Sequence, residues 1–160
     1  MSTEFILKEI SKTELADCVD VIKMSFETVE LPLEDYGTLD TRRLIFESDN
    51  GNVMFGLFDD EKQIGFAELD KRENEAVLKK LCIIPQYRSE GNGKVLLDFV
   101  IKSAGELGYD NITANLRADD KGLEQWFLSR GFDFVETRYI PVIDRTITKL
   151  RAVLDMGVYR

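Results

Sequence analysis

The chain has 160 residues, of which 44% are hydrophobic and 32% are charged, a size and composition typical of one globular domain with a substantial core. Its net charge of −9 disfavours a general nucleic-acid binder, which would need a basic face. It contains no histidine, which excludes Ser-His and Cys-His catalysis and most zinc chemistry, so we expect no metal site.

The sequence also indicates where the protein is found. No run of 18 or more apolar residues occurs, so we expect no membrane span. The opening MSTEFILKEI lacks the basic segment and apolar core of a secretory signal, so the expected location is cytoplasmic. Cys18 and Cys82 stand in separate apolar contexts and are interpreted as buried thiols rather than as a disulfide.

The N-terminal third predicts a strand and two helices. The stretch EFILKEI (4–10) is typical of a strand, and Ser11 with Glu14 forms a capping box for the helix that follows. A second, shorter helix is predicted at 40–48 with Asp40 as its cap. The first helix has apolar residues at helical spacing, namely Leu15, Cys18, Val19, Ile22 and Phe26.

The acidic residues are concentrated in this same third of the chain. Residues 1–40 hold ten acidic and three basic residues, a net charge of −7 out of the total of −9. Two interpretations stay open: a solvated helix face, or an acidic rim that attracts a cationic substrate.

The middle of the chain predicts three strands. NVMFGLF (52–58) and QIGFAELDK (63–71) flank a short polar turn and predict a hairpin. EAVLKKLCII (75–84) predicts the next strand, which ends at the following proline. Its alternation breaks at Lys79 and Lys80, which indicates a bulge or a change of exposed face.

The second half alternates between helices and strands. Antiparallel hairpins combined with one β-α-β crossover predict a mixed sheet with helices on both faces. The predicted elements are a helix at 92–107 ended by Gly108, a strand at 111–117, a helix at 119–130 ended by Gly131, and strands at 132–140 and 145–154.

The stretch RSEGNG (88–93) places an arginine and two glycines between a predicted strand and a predicted helix. The first turn of a helix has unpaired N–H groups and the positive end of the helix dipole, and glycine lets a ligand approach closely. Arg88 adds a fork of donors, so the pattern favours a phosphate or pyrophosphate. The stretch matches neither GxxxxGK[ST] nor GxGxxG. An ordinary glycine-tolerant loop is the alternative that this stretch alone leaves open.

With its flanks, this stretch resembles the GCN5-related N-acetyltransferase (GNAT) family. The residues that carry the resemblance run from LCIIPQYRSEGNG, through a long helix and a strand, to LEQWFLSRGF. The family pattern is an apolar strand that often ends in Pro, then [QR]-x-x-G-x-[GA], a helix, a strand, and a helix closing on Gly-Phe. The resemblance implies the GNAT fold: α/β of the α+β type, a central, mostly antiparallel, twisted mixed sheet with helices on both faces, in one domain over 1–160.

The resemblance implies acetyl-CoA as the cofactor. The loop amides would hold the pyrophosphate, the strand segment 81–83 would pair with the pantetheine arm, and the amide near Cys82 would polarise the thioester carbonyl. The residues that this assigns to cofactor binding are Leu81, Cys82, Ile83, Arg88, Ser89, Glu90, Gly91, Asn92, Gly93, Lys94, Asp120 and Phe127.

Three of these positions depart from the family pattern. Most members have a basic or small residue where Glu90 stands, so we expect its side chain to point outward. Asp120 replaces a frequent Asn but can still cap a helix and accept a hydrogen bond from the amides of CoA. Phe127 replaces a common Tyr that is thought to protonate the leaving thiolate, and it has no proton to give. The remaining sources of that proton are water, Tyr36, Ser129 and Tyr139.

Direct transfer also needs a neutral acceptor amine, so a base or a water chain has to take its proton. Without histidine, carboxylates are the candidates, and Glu68 and Asp70 near the end of one strand are predicted to face Glu75 at the start of the next. Solvated strand-end charges are the alternative interpretation. Histone-acetylating members have a glutamate where Val77 stands, which argues against a histone-type mechanism. The catalytic candidates are therefore Glu68, Glu75 and the backbone of Cys82.

The function that follows is transfer of acetyl from acetyl-CoA to a primary amine of a small acceptor, and the acidic N-terminal third favours a cationic one. Two alternatives stay open: a non-catalytic acyl-CoA-binding or sensing module, and a peptide N-terminal acetyltransferase. No nucleic acid or membrane partner is expected. In this family exposed C-terminal strands often mediate dimers, so the resemblance also leaves a homodimer open.

Overall fold

The computed structural model describes residues 5–25 and 40–154. In these ranges one seven-stranded sheet has the order β1-β2-β3-β4-β5-β7-β6 and is flanked by four α-helices. None of the helices in these ranges combines the length and the apolar character needed to cross a membrane. The elements are β1 (Phe5–Glu9), α1 (Leu15–Ser25), α2 (Thr41–Asp49), β2 (Val53–Asp59), β3 (Lys62–Lys71), β4 (Ala76–Ile83), α3 (Asn92–Glu106), β5 (Asn111–Arg117), α4 (Lys121–Leu128), β6 (Asp133–Ile140) and β7 (Arg145–Val153).

The helices cover both faces of the sheet, as the sequence predicted. Successive strand residues point to opposite faces. Phe55 of β2 packs edge-on against Phe99 of α3, with ring centroids 5.7 Å apart. Phe58, three residues further along β2, lines a groove on the other face with Asp17 and Val21 of α1. The core therefore lies in two layers, one between the sheet and α1 and one between the sheet and α3.

The predicted helix starts are confirmed, with one change at α1. The Asp40 side chain accepts from the N–H of Arg43 (2.9 Å) and caps α2. The Ser11–Glu14 capping box is present, but it opens a short 3-10 turn (Lys12–Glu14) that leads into α1. The apolar stripe on α1 is buried from Leu15 to Ile22, whereas Phe26, the last residue predicted for it, lies outside the described residues.

The predicted bulge in β4 is confirmed. Phe66 of β3 lies opposite Cys82, and Glu68, two residues on, lies opposite Lys79, so three steps along β4 match two steps along β3. Lys80 takes up the extra step with φ of +57°. A bulge bends its strand and increases the local twist.

The only parallel pairing of the described sheet joins β4 to β5, and it is short. The register pairs are Ala76 with Ile112, Val77 with Thr113, and Leu78 with Ala114. All other pairs of neighbouring strands in the described sheet are antiparallel. The sheet is therefore mixed and mostly antiparallel, as expected. Its strands β4 and β5 are paired with each other over only part of their length.

The turn before α1 generates a prediction about pH. Lys8 donates to Glu14 at 2.8 Å, and the N–H and hydroxyl of Ser11 donate to the same carboxylate. These bonds lower the pKa of Glu14 from 4.5 to about 2. Because the folded state favours the ionised form, the stabilisation is complete above pH 4.5 and is lost as the pH falls towards 2.

We therefore expect the stability difference between the native chain and Glu14→Gln to be largest near pH 6 and to vanish as the pH approaches 2. Urea unfolding across this range measures it. Lys8→Met should raise the pKa of Glu14, measured by NMR titration, towards 4.5. A pKa near 4.5 in the native chain would contradict the assignment.

Candidate functional site

The candidate site is an opening between β4 and β5. Their pairing ends at Leu78 and Ala114, but β4 continues to Ile83 and β5 continues to Arg117. Beyond this last pair, the backbone N–H and C=O groups on the facing edges of β4 and β5 are not hydrogen-bonded to each other. Buried backbone N–H and C=O groups need hydrogen-bond partners, so an extended ligand with amide groups would complement these edges.

The segment predicted to contact the pantetheine arm lies on this opening. Leu81, Cys82 and Ile83 occupy the unpaired end of β4, immediately after the bulge. Leu81 is half-buried, and the other two side chains are buried. The Cys82 thiol points away from solvent, so its side chain packs, and the backbone is what this segment offers to a ligand.

The loop after β4 has the backbone geometry of an anion cradle. Gly91 is the N-cap residue of α3, with φ of +82°, and it supplies no side-chain cap to the first turn. Ser89 also has a positive φ, of +66°. Alternation of left-handed with ordinary residues turns successive N–H groups to one side, which makes a concave anion site, and the helix dipole adds to it. Residues 88–91 are all exposed, so a ligand can reach this loop.

Arg88 lies in the loop after β4, and its guanidinium donates to two backbone carbonyl oxygens of the chain. Its Nε donates to the carbonyl oxygen of Ile83 at 2.9 Å, and its Nη2 donates to the carbonyl oxygen of Ser25, the last residue of α1. The predicted contact of the guanidinium with a phosphate stays a prediction, since these two bonds use two of its five N–H donors. The guanidinium ties the loop to the ends of β4 and α1.

Two further bonds hold the loop. The buried Asn92 side chain donates to the carbonyl oxygen of Tyr87 at 2.9 Å. The Tyr87 hydroxyl donates to Asp59 at 2.5 Å, which raises the pKa of Tyr87 above its usual value. Asn92 thus acts through its side chain as a brace for the loop.

The two glycines of the loop serve different purposes. A Cβ on Gly91 would meet nothing within 4 Å, so this position needs glycine for its positive φ. A Cβ on Gly93 would lie 3.2 Å from Cζ2 of Trp126, so that position needs glycine for close packing of α4 against α3. The half-buried Trp126 is covered on its other side by the Arg130 guanidinium, 4.0 Å from the ring centroid. Sequence reasoning missed the contact of Trp126 with Gly93.

The loop's charged side chains are on its outer side. Glu90 is exposed, as expected for an acid next to an anion site. Lys94 is also exposed, and its Nζ donates to Asp98 one turn further along α3 at 2.9 Å. The acidic partner offsets the charge that Lys94 presents to the loop.

Asp120 caps α4 as the sequence indicated, whereas Phe127, assigned to cofactor binding, lies in the core. Asp120 accepts from the N–H of Leu123 (3.1 Å) and caps α4. Phe127 is 3% exposed and packs edge-on against Trp126 and Phe132, each with ring centroids 5.0 Å away. Phe127 is therefore a core residue at the base of the α3–α4 contact.

The other proton donors considered for the leaving thiolate are engaged elsewhere. Tyr139 donates to Asp144 at 2.5 Å, and this bond raises the pKa of Tyr139, which makes it a weaker acid. The Ser129 hydroxyl donates to the carbonyl oxygen of Trp126. Tyr36 lies outside the described residues.

The predicted pairing of Glu68 with Glu75 is wrong. Glu75 lies 3.1 Å from Lys149 of β7. Glu68 is fully buried, where its two oxygens accept from Lys80 (2.8 Å) and Asn52 (2.7 Å). Burial raises the pKa of Glu68, and Lys80 offsets only part of that effect. Glu68 has no exposed surface that could meet an acceptor amine. Asp70, the third carboxylate considered, pairs with Arg72.

Sequence reasoning also missed a cluster of buried charges at the bulge. Glu47 of α2 contacts Lys80 at 3.1 Å and Lys79 at 3.3 Å, and these two cations hold the pKa of Glu47 low although burial raises it. The only signal for this was a pair of lysines in an otherwise apolar strand. We call this set the Lys80 cluster: Glu47, Asn52, Glu68, Lys79 and Lys80.

In residues 5–25 and 40–154, no group of three or more His, Cys, Asp or Glu side chains is placed to hold a metal ion. The two cysteines, Cys18 and Cys82, are both buried and are not joined to each other.

Comparison with protein families identifies the family to which the chain belongs. The model of the acetyltransferase (GNAT) family matches residues 17–132, which include the opening, the loop and α4. The chain belongs to the GNAT family. This GNAT protein is an N-acetyltransferase that uses acetyl-CoA. The loop motif and the strand–helix order on which the resemblance was based lie within the matched residues.

Solved structures agree on the fold. The ribosomal-protein-S18-alanine N-acetyltransferase from Escherichia coli superposes with a TM-score of 0.79 at 16% identity, covering 96% of each chain. The PaiA N-acetyltransferase from Thermoplasma acidophilum, in complex with coenzyme A, gives 0.74 at 19%, covering 94% of this chain and 99% of that one. An N-acetyltransferase from Staphylococcus aureus gives 0.73 at 18%, covering 94% and 97%. At these identities the likeness concerns the fold alone.

The need for glycine at the left-handed φ of Gly91 can be tested by stability. Gly91→Ala should destabilise the GNAT protein by about 1–2 kcal/mol, because an L-residue is strained at a left-handed φ. Gly122→Ala is the matched control, since Gly122 lies in α4 and its nearest neighbouring atom is 4.0 Å from the added Cβ. The control should stabilise by about 0.5 kcal/mol. Urea unfolding measures both, and equal effects would contradict the assignment.

Proposed function

We propose that this GNAT protein acetylates a primary amine of a small, cationic acceptor. Acetyl-CoA supplies the acetyl thioester, whose acetyl group passes to the amine nitrogen while the thiol of coenzyme A leaves. The observation that carries the proposal is the opening between β4 and β5, which leads directly to an exposed, uncapped helix start.

The residues at the opening fit acetyl-CoA in two places. Residues 90–94 offer the unpaired N–H groups of the first turn of α3 to a pyrophosphate, with Ser89 beside them. Residues 81–83 offer a strand edge to the pantetheine amides, in the way that an extended peptide adds to a sheet. Arg88 holds the loop through two bonds, and its other guanidinium N–H groups are the proposed donors to the phosphates.

Asp120 and Phe127 complete the proposed cofactor site from the side of α4. Asp120 keeps one oxygen on the helix cap and leaves the other to accept from an amide of coenzyme A. Phe127 supports Trp126, which contacts the first turn of α3. Since Phe127 cannot donate a proton, water is the proposed source of the proton for the thiolate.

The preference for a cation rests on the charge of the α1 region. Asp17 of α1, Glu61 of the β2–β3 turn and Glu14 of the turn before α1 line a groove of about 240 Å³ beside Phe58. Lys8 pairs with Glu14, so Asp17 and Glu61 carry the negative charge of this groove. Four further carboxylates follow α1 in the sequence, in a segment outside the described residues. A surface with one sign of charge raises the local concentration of ligands of the opposite sign.

The catalytic assay separates this proposal from its alternatives. The protein would be incubated with acetyl-CoA and either a pool of small amines or a pool of short peptides, and release of free thiol would be followed. Turnover on the small amines is the expected result. Coenzyme A binding without turnover would favour a sensing module, and turnover on peptides alone would favour a peptide N-terminal acetyltransferase.

The loop assignment predicts that affinity for coenzyme A can be improved. Glu90 places a negative charge next to the proposed pyrophosphate site, so Glu90→Gln should tighten binding by about two- to fivefold in moderate salt. Isothermal titration calorimetry measures this, and the gain should shrink in 1 M salt. Glu106→Gln, about 20 Å away at the other end of α3, is the control and should bind like the native chain.

The acidic segment predicts a specific effect on the acceptor. Replacing the four carboxylates with their amides should raise the KM for a cationic amine by about tenfold and leave the KM for acetyl-CoA unchanged. An aromatic amine, which is neutral at pH 7, is the matched acceptor and should show no change. An unchanged KM for the cationic amine would refute the role of these residues, which are Glu27, Glu30, Glu34 and Asp35.

A further inference from the structure

Lys80 is held in a backbone conformation that lysine rarely adopts. Its φ of +57° falls in the left-handed region, although it lies within a strand in the middle of the sheet. Such conformations persist only when the surrounding structure imposes them. The surroundings of Lys80 therefore have to hold it in this conformation.

The side chain of Lys80 is anchored by two carboxylates. Its ammonium group is fully buried and lies 2.8 Å from Glu68 of β3 and 3.1 Å from Glu47 of α2. Asn52 fixes Glu68 through its other oxygen, and Lys79 contacts the other oxygen of Glu47. The ammonium is thus anchored to the neighbouring strand and to a helix, and the anchor reaches the residue that forms the bulge.

Stability alone does not account for such a buried arrangement. Replacing a buried ion pair with apolar groups of similar size is often neutral or stabilising, because the charges lose their hydration on burial. Where buried charges have a distinct benefit, it is the selection of one conformation over others. The conformation selected here is the bulge, where the register of β3 and β4 shifts between Phe66 and Glu68.

The bulge lies between two features of the cofactor site. The pairing of β4 with β5 ends at Leu78, one residue before Lys79, and residues 81–83 begin immediately after Lys80. We propose that Lys80, anchored by Glu68 and Glu47, is a positioning residue that sets the direction of the β4 backbone at 81–83 towards the thioester. This inference rests on the proposed function, because the thioester site is part of it.

The burial of the Lys80 ammonium argues against a direct electrostatic role. It is fully buried and lies 2.8 Å from Glu68 and 3.1 Å from Glu47. Both of these contacts direct its charge to carboxylates of the chain rather than to a developing oxyanion. We therefore expect its effect to be on geometry.

The test uses the double variant Lys80→Met with Glu68→Gln. It removes one charge of each sign, the glutamine oxygen can still accept from Asn52, and Glu47 keeps Lys79 and Arg43 as partners. The fold should persist, as measured by circular dichroism and thermal unfolding. With the best amine of the pool, kcat should fall at least about tenfold, because small displacements of reacting groups are costly. The Kd of coenzyme A should stay within about twofold, since the loop at 88–94 is held by other bonds.

Lys79→Met is the matched control. It removes a lysine of the same bulge whose ammonium, among the described residues, forms an ion pair with Glu47 at 3.3 Å but none with Glu68, so kcat should stay within about threefold of the native value. Hydrogen–deuterium exchange provides a readout that needs no substrate. The double variant should exchange faster than the native chain at 79–83, and Lys79→Met should not.

The outcomes separate this inference from the proposed function. If the native chain acetylates amines and the double variant keeps its kcat, the inference is overturned and the function stands. If the native chain neither binds coenzyme A nor turns over any acceptor, the proposed function fails, and exchange at 79–83 decides whether Lys80 fixes the bulge. Unchanged exchange in the double variant overturns the inference in either case.

Discussion

The early end of the β4–β5 pairing is the constraint on which the rest of the site depends. A strand in the middle of a sheet normally has both edges paired, but here β4 loses its partner after Leu78 while it remains paired with β3 as far as Ile83. An unpaired edge inside a sheet is reached only through the gap between the diverging strands, which selects a thin ligand and excludes another sheet. In this GNAT protein the gap, the bulge and the loop after β4 follow each other along one stretch of chain, so one ligand can contact all three.

The helices that follow the two diverging strands are in contact with each other. The α3 helix follows β4 and the α4 helix follows β5. The two helices touch where Trp126 meets Gly93, at the first turn of α3. The contact lies at the first turn of α3, where the N–H groups are unpaired. A shift of α4 would therefore move the backbone that forms the proposed anion cradle. The packing of Phe127 against Trp126 and Phe132 then determines where that contact lies.

The features that could be predicted from sequence are those determined by residues close together in the chain. Strand alternation, helix caps such as Asp40 and Asp120, and the bulge at the two lysines all appear within a few consecutive residues. The features that were missed join distant segments: Lys80 with Glu47, and Gly93 with Trp126. A local pattern shows that a lysine in a strand is unusual, but it cannot name the carboxylate that neutralises it. That partner depends on how α2 packs on the sheet.

Arg88 shows that a motif residue can have a structural role that its motif does not reveal. A fork of donors next to an anion loop suggests a ligand, yet two of its five donors bond the carbonyl oxygens of Ile83 and Ser25. Ile83 ends β4 and Ser25 ends α1, so one guanidinium joins the loop to a strand and to a helix. A carbonyl at a helix end has no partner within the helix, which makes the Ser25 oxygen available to such a donor. The loop therefore cannot shift relative to α1 without losing a charge-assisted bond.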